Sequence, residues 1–170
     1  MLSGLTKGAG MSERESPSTD EPPGEFRSDP HHQLKHMSVA ECYALLRRHQ
    51  VGRVALIHEA FPVIFPVNFV IDDGTVVFRT GAGSKLEAAI NHAPVAFECD
   101  GFDQDRKAGW SVVLRGIAEL VTNSTEVARL REMPLAPWAA GDKPNYIRVH
   151  GKQITGRRVG DAELPPPWLD

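Results

Sequence analysis

The run Phe78-Arg79-Thr80-Gly81-Ala82-Gly83-Ser84-Lys85-Leu86 brings the parts of an anion site together in one short stretch. A strand is expected before it and a helix start at Ser84. Gly81 and Gly83 permit positive φ and let backbone approach a ligand closely. Free N–H groups at a helix start favour negative charge. Ser84 adds a hydroxyl, Lys85 a point charge and Arg79 a planar, bidentate fork. A phosphate group fits this set. The same residues would also serve as an ordinary helix N-cap beside two solvated cations. Two familiar phosphate loops do not match. A P-loop needs Gly-Lys-Ser/Thr after four spacer residues, and here Ser84 precedes Lys85. The dinucleotide fingerprint would need glycine in place of Leu86, inside a parallel βαβ unit.

Other candidates are weaker. His31 and His32 have no third ligand nearby and read as solvated histidines. Cys99 follows Glu98 in an apolar strand and reads as a core thiol. His58 beside Glu59 reads as a solvated turn. Arg115 alternates with Val113 and Ile117 and suits an interface ion pair. His150, Arg157 and Arg158 could face a ligand without a defined role. No nucleophile–base pair stands out, so no catalytic residue is assigned and no metal site is expected.

The elements that would position these groups follow from periodicity. Ser38-Val-Ala-Glu41 fits a capping box, and Cys42, Tyr43, Leu45 and Leu46 have helical spacing, predicting a helix over 38–49. The period then changes to two. Strands are expected over 51–57, 63–71 and 75–80, with Asp72-Asp73-Gly74 as a hairpin turn. Pro62 and Pro66 cannot donate to a ladder, so their strand should lie at an edge or carry a bulge. A short helix follows Ser84, with Leu86, Ala89 and Ile90 on one face. Strands at 95–99 and 110–121 should flank a polar loop at 101–109. A helix should run from Asn123 to about Met133, then an irregular stretch over 134–144. Tyr146–His150 and Gln153–Val159 are expected to form a final hairpin around Gly151-Lys152. The total is six or seven strands and two or three short helices, a mainly β chain. With no βα alternation, a small barrel that hides its edges is the natural solution.

Composition bounds the rest. The 170 residues carry 19 basic and 22 acidic side chains, a formal charge of −3. That balance argues against general nucleic-acid binding. No apolar run approaches the ~20 residues of a membrane helix, and no secretory signal is evident. Two distant cysteines argue against a disulfide scaffold and fit a cytoplasmic protein. Residues 1–36 hold four basic and six acidic residues and read as a disordered lead, with Met11 an alternative start. The working domain is 37–159, and 160–170 is a proline-rich tail.

Taken in order, Phe65-Pro-Val-Asn-Phe-Val-Ile-Asp-Asp-Gly, the Phe78–Leu86 run, Val95-Ala-Phe-Glu and Gly109-Trp-Ser-Val-Val-Leu-Arg-Gly-Ile-Ala-Glu119 extend the signal across the domain. This ordered set resembles the pyridoxamine 5′-phosphate oxidase-like flavin-binding proteins over about residues 38–159. It is closer to their short actinobacterial-type members than to the vitamin B6 enzyme, whose C-terminal tryptophan-arginine region has no counterpart here. The resemblance implies a split β-barrel homodimer with FMN at the subunit interface. Arg79, Thr80, Ser84 and Lys85 would hold the phosphate and ribityl chain. Val67 and Asn68 would lie along the isoalloxazine ring. Trp110 and Ser111 would contact the flavin, commonly from the partner subunit. Asn68 could instead satisfy strand backbone near Pro66, and Trp110 could be a core aromatic at the barrel end. The implied activity is an oxidoreductase passing electrons between the flavin and a small organic substrate. The alternatives are a flavin-binding module without turnover, or the same barrel holding a deazaflavin or haem.

Overall fold

A computed structural model describes residues 34–83, 86, 90 and 92–160. Strand β1 (Lys35–Met37) leads into helix α1 (Val39–Arg48). Strands β2 (Val51–His58), β3 (Phe61–Asp72), β4 (Thr75–Thr80), β5 (Pro94–Asp103) and β6 (Ala108–Leu120) follow. Helix α2 (Ser124–Arg131) and strand β7 (Asn145–Val159) complete the domain. Leu86 and Ile90 are helical, and Ile90 is fully buried. The expected helix start at Ser84 and the position of Ala89 lie outside the described residues.

The sheet runs β1-β7-β4-β3-β2-β5-β6, and a β6–β7 pairing closes it into a barrel. Every pairing is antiparallel. Closure removes the open edges that a small sheet must otherwise protect. The barrel is split at β7. Its first five residues pair with β4, and Gly156–Arg158 pair with β1, while β6 runs alongside almost throughout.

The expected final hairpin is therefore wrong: Tyr146–Val159 is one strand. A two-residue hairpin turn needs positive φ at its centre. Neither Gly151 nor Lys152 has it. Instead β6 pairs Arg115 with Gln153 and Gly116 with Gly151, so Lys152 is an extra residue in a bulge. Bulging bends the strand without reversing it. The polar loop at 101–109 is also shorter than expected. The β5–β6 ladder continues to Asp103↔Ala108. Asp103 Oδ1 there accepts the N–H groups of Asp105 and Arg106, each at 3.0 Å, and turns the chain.

The proline expectation holds in a local form. β3 pairs with β2 over Phe61–Asn68 but with β4 only from Phe69 to Asp72. Pro62 and Pro66 both sit in the half with a single neighbour. Asp73 (φ 46°) and Gly74 (φ 74°) form the expected β3–β4 turn.

Phe69, Phe78, Phe97, Leu114 and Ile147 fill the barrel, and Phe69 meets Phe97 edge-on at 4.7 Å. α1 plugs one end through Cys42, Leu45 and Leu46. Its capping box forms as expected, with Ser38 N donating to Glu41 Oε2 at 2.7 Å and Glu41 N to Ser38 Oγ at 3.2 Å. Gly156 permits that plug, since a Cβ there would strike Cys42 Sγ and Met37.

A second apolar layer lies outside the barrel. Val77 of β4 and Tyr146 of β7 face outward and pack under Leu130 of α2 and Leu135. An ion network fastens it. Arg129 grips the Asp72 carboxylate with two bonds, at 2.8 and 2.7 Å. Arg148 Nη2 reaches Asp72 Oδ2 at 2.6 Å and Glu126 Oε1 at 2.7 Å. The Arg129 bonds lead in holding the Asp72 carboxyl down at about 2. The opposite outer face, over β2, β5, β6 and the end of β7, has no such cover among the described elements.

Candidate functional site

β3 and β4 part after Phe69↔Phe78, and the next residue on each strand is Asn68 and Arg79. Strand alternation then sorts the expected site residues. Val67 and Thr80 point inward and are buried, so Val67 can offer a ligand only its backbone. Asn68 and Arg79 both point outward, each one residue past the last β3–β4 pair. Arg79 lies over the Tyr146 ring at 5.2 Å, and its Nε donates to Lys143 O at 2.7 Å. Asn68 Nδ2 donates to Gln50 O at 3.3 Å, and Asn68 Oδ1 accepts from Trp138 N at 2.8 Å. The amide does satisfy backbone, but in two other segments and not at Pro66. Beyond Arg79 the chain turns through Gly81 and Gly83, where Gly83 takes φ +66° with open space around its Cα. Ser84 and Lys85 lie outside the described residues.

A cavity of about 260 Å³ opens beside Asn68. Gln50 and Asn68 supply its amides, and Phe69, Met133, Leu135 and Trp138 its apolar walls. Leu135 and Trp138 carry no periodic signal in sequence because 134–144 has no period to read, and Met133 was legible only as a helix end. The combination Pro134-Leu135-Ala136-Pro137-Trp138 in a polar stretch was the available signal.

Trp110 and Ser111 stand elsewhere. They lie on β6, separated from β3 by β2 and β5, roughly 14 Å at ordinary strand spacing. The Trp110 ring packs against His49 with centroids 4.7 Å apart and against the barrel core. Gly101 opposite it leaves room for the indole. Ser111 faces outward into a second hollow of about 440 Å³, with Val113, Arg115, Gln153, Thr155 and Arg157. Arg115 bonds Gln153 within that hollow. On the neighbouring strands Arg53 binds Glu98 at 3.0 Å and Asp100 at 2.7 Å. His150 meets Glu119 at 3.2 Å, and the buried Nε of Arg158 has no hydrogen-bond partner among the described residues. Cys99 is a core thiol, as expected: burial pushes it up to about 12, and its Sγ donates to Val51 O at 3.4 Å.

Chemically, the outer face offers an amide-lined cavity at Asn68, a cation at Arg79 just past the end of the β3–β4 ladder, and a cationic hollow three strands away. The first two suit a planar, polar-edged ring with an anionic arm. The pyridoxamine 5′-phosphate oxidase family profile matches residues 38–158. A Mycobacterium tuberculosis protein of uncharacterized function is 32% identical over 151 residues, covering 84% of this chain and 99% of that protein. The structure of an FAD binding protein from Mycobacterium smegmatis is 39% identical with TM-score 0.67, covering 74% of this chain and 98% of that one. A conserved protein of unknown function from Corynebacterium diphtheriae is 32% identical with TM-score 0.61, covering 73% and 96%.

Proposed function

This chain belongs to the pyridoxamine 5′-phosphate oxidase family, and from that premise we propose that it binds a flavin nucleotide, FMN, and works as an oxidoreductase on a small organic substrate. One observation carries the reading: Asn68 and Arg79 both face outward where β3 and β4 part, and a glycine turn follows Arg79. Arg79 would take the phosphate. Its Nε is committed to Lys143 O, which aims the remaining N–H groups of the fork. Ser84 and Lys85 would complete the phosphate cradle. Asn68 and the Val67 backbone would line the ring's polar edge. When bound, the flavin supplies the electron transfer, and the chain binds it, orients it and tunes its surroundings.

The reading extends to two copies of the chain. Trp110, Ser111 and the Arg115–Arg157 hollow stand apart from Arg79 in one copy. A homodimer would bring the hollow of one copy to the Asn68–Arg79 opening of the other. FAD is the favoured second reading, because the Mycobacterium smegmatis relative is an FAD binding protein. The cationic hollow could take its additional phosphate.

Titration of the purified protein with FMN and FAD, followed by visible absorption, tests the reading. One flavin per chain is expected. Arg79→Ala removes a charge-assisted bond worth ~1.5–3 kcal/mol, so affinity should fall about 10- to 100-fold. Absence of flavin binding, or an unaltered Arg79→Ala variant, refutes the assignment. Flavin reduction by candidate substrates separates turnover from storage, and competition with a deazaflavin or haem separates the ligand classes.

A further inference from the structure

The strap 134–144 is tied down by the same two side chains that open toward the ligand. Asn68 Oδ1 holds the Trp138 N–H at 2.8 Å, and Arg79 Nε holds the Lys143 carbonyl at 2.7 Å. Within the strap, Lys143 Nζ donates to Ala139 O at 2.8 Å and Ala140 O at 3.1 Å. Leu135 anchors its start in the outer apolar layer. The segment is irregular, yet it is fixed along its length. Even so, it leaves the Trp138 side chain 72% exposed beside the cavity that Asn68 lines. An indole left in water on a tethered backbone beside a cavity offers its face to a ligand ring. Nothing in the fold needs the indole, since the neighbouring layer is complete with Val77, Leu130, Leu135 and Tyr146.

We propose that Trp138 is the aromatic wall of the flavin site, packing against the isoalloxazine ring while Asn68 and Arg79 hold the strap that presents it. This inference rests on the flavin reading above. It makes Trp138 a binding and specificity residue for the ring, distinct from Arg79, which serves the phosphate. The strap couples them: the residues that meet the ligand also set the height of the indole above it.

The experiment compares FMN with riboflavin, which has the ring and no phosphate. Wild type, Trp138→Ala, Trp138→Phe and Arg79→Ala are titrated with each, following flavin absorption and tryptophan emission. Trp138→Ala should lose at least 10-fold in affinity for both ligands alike, and Trp138→Phe should recover most of it. Arg79→Ala should lose affinity for FMN more than for riboflavin, and its smaller loss for riboflavin reports the loosened strap. The Trp138 share of the emission, wild type minus Trp138→Phe, should vanish on flavin binding. If wild type binds FMN and Trp138→Ala binds both ligands unchanged, the inference is wrong and the flavin reading stands. If Trp138→Ala loses FMN affinity alone, the indole only shapes the strap, and the inference is overturned. If wild type binds neither ligand, both readings fall. Thermal melts show whether each variant remains folded.

Discussion

Cys42 and Cys99 are both almost fully buried, and burial raises both thiols, Cys99 to about 12. The thiolate is the reactive form, so neither should act as a nucleophile or redox sensor in the folded chain. Titration with a thiol reagent at pH 8 should find no fast-reacting group in the native protein and two after denaturation. A fast native reaction would contradict the burial. Asn68 and Arg79 have the opposite setting, facing outward, with Asn68 Oδ1 and Arg79 Nε bonded to a strap more than sixty residues away. Arg79 was singled out in sequence by its type and the glycine turn that follows, whereas Asn68 entered only through the family resemblance. Their use as anchors for Trp138 was not, because strand periodicity carries no information about which loop returns to cover a strand.

At the scale of elements, α2 depends on Asp72. The carboxylate sits 8% exposed between Arg129 and Arg148 and ties α2 to the β3–β4 turn and to β7. Its folded pKa, about 2, lies below the 3.8 of a free group. Stabilisation from this site is therefore complete above pH ~5 and disappears as pH falls from there through about 2. The shift corresponds to about 2 kcal/mol. Chemical denaturation of wild type and Asp72→Asn across pH 2–6 should show the two curves converging toward the acid end. Curves that stay parallel would remove Asp72 from the acid response. Asp72→Ala should be more damaging, since Arg148 remains buried with one carboxylate fewer. The elements themselves were mostly readable, including the α1 capping box and the 75–80 strand. The error at β7 has a simple cause. Gly151-Lys152 between two apolar runs reads as a turn, and only the β6 ladder, continuous across it, makes it a bulge.

For the whole molecule, the covered and bare halves of the barrel matter most. α2 and the strap cover β4 and the start of β7, whereas the opposite face keeps apolar groups in water. Ile57 is 66% exposed and Ile64 64%, on the same outward side of the β2–β3 hairpin. A bare face of this kind invites a second copy. Light scattering should give twice the 18.7 kDa chain mass, and a charge placed at Ile57 or Ile64 should shift the protein toward monomer. A monomeric wild type that still binds flavin at full strength would show that one copy builds the site alone.

Residue types and periods by themselves determined a mainly β chain of short strands, the α1 capping box, the Asp73-Gly74 turn and a core thiol at Cys99. Those properties are local, because alternation, glycine φ and hydroxyl chemistry act within a few residues. Tertiary structure alone decided that β7 is a single bulged strand, that Val67 turns into the core while Asn68 turns out, and that Trp138 stands beside Asn68. Each depends on which distant segment lies opposite, and that is set by barrel closure and register, which no short stretch of sequence encodes.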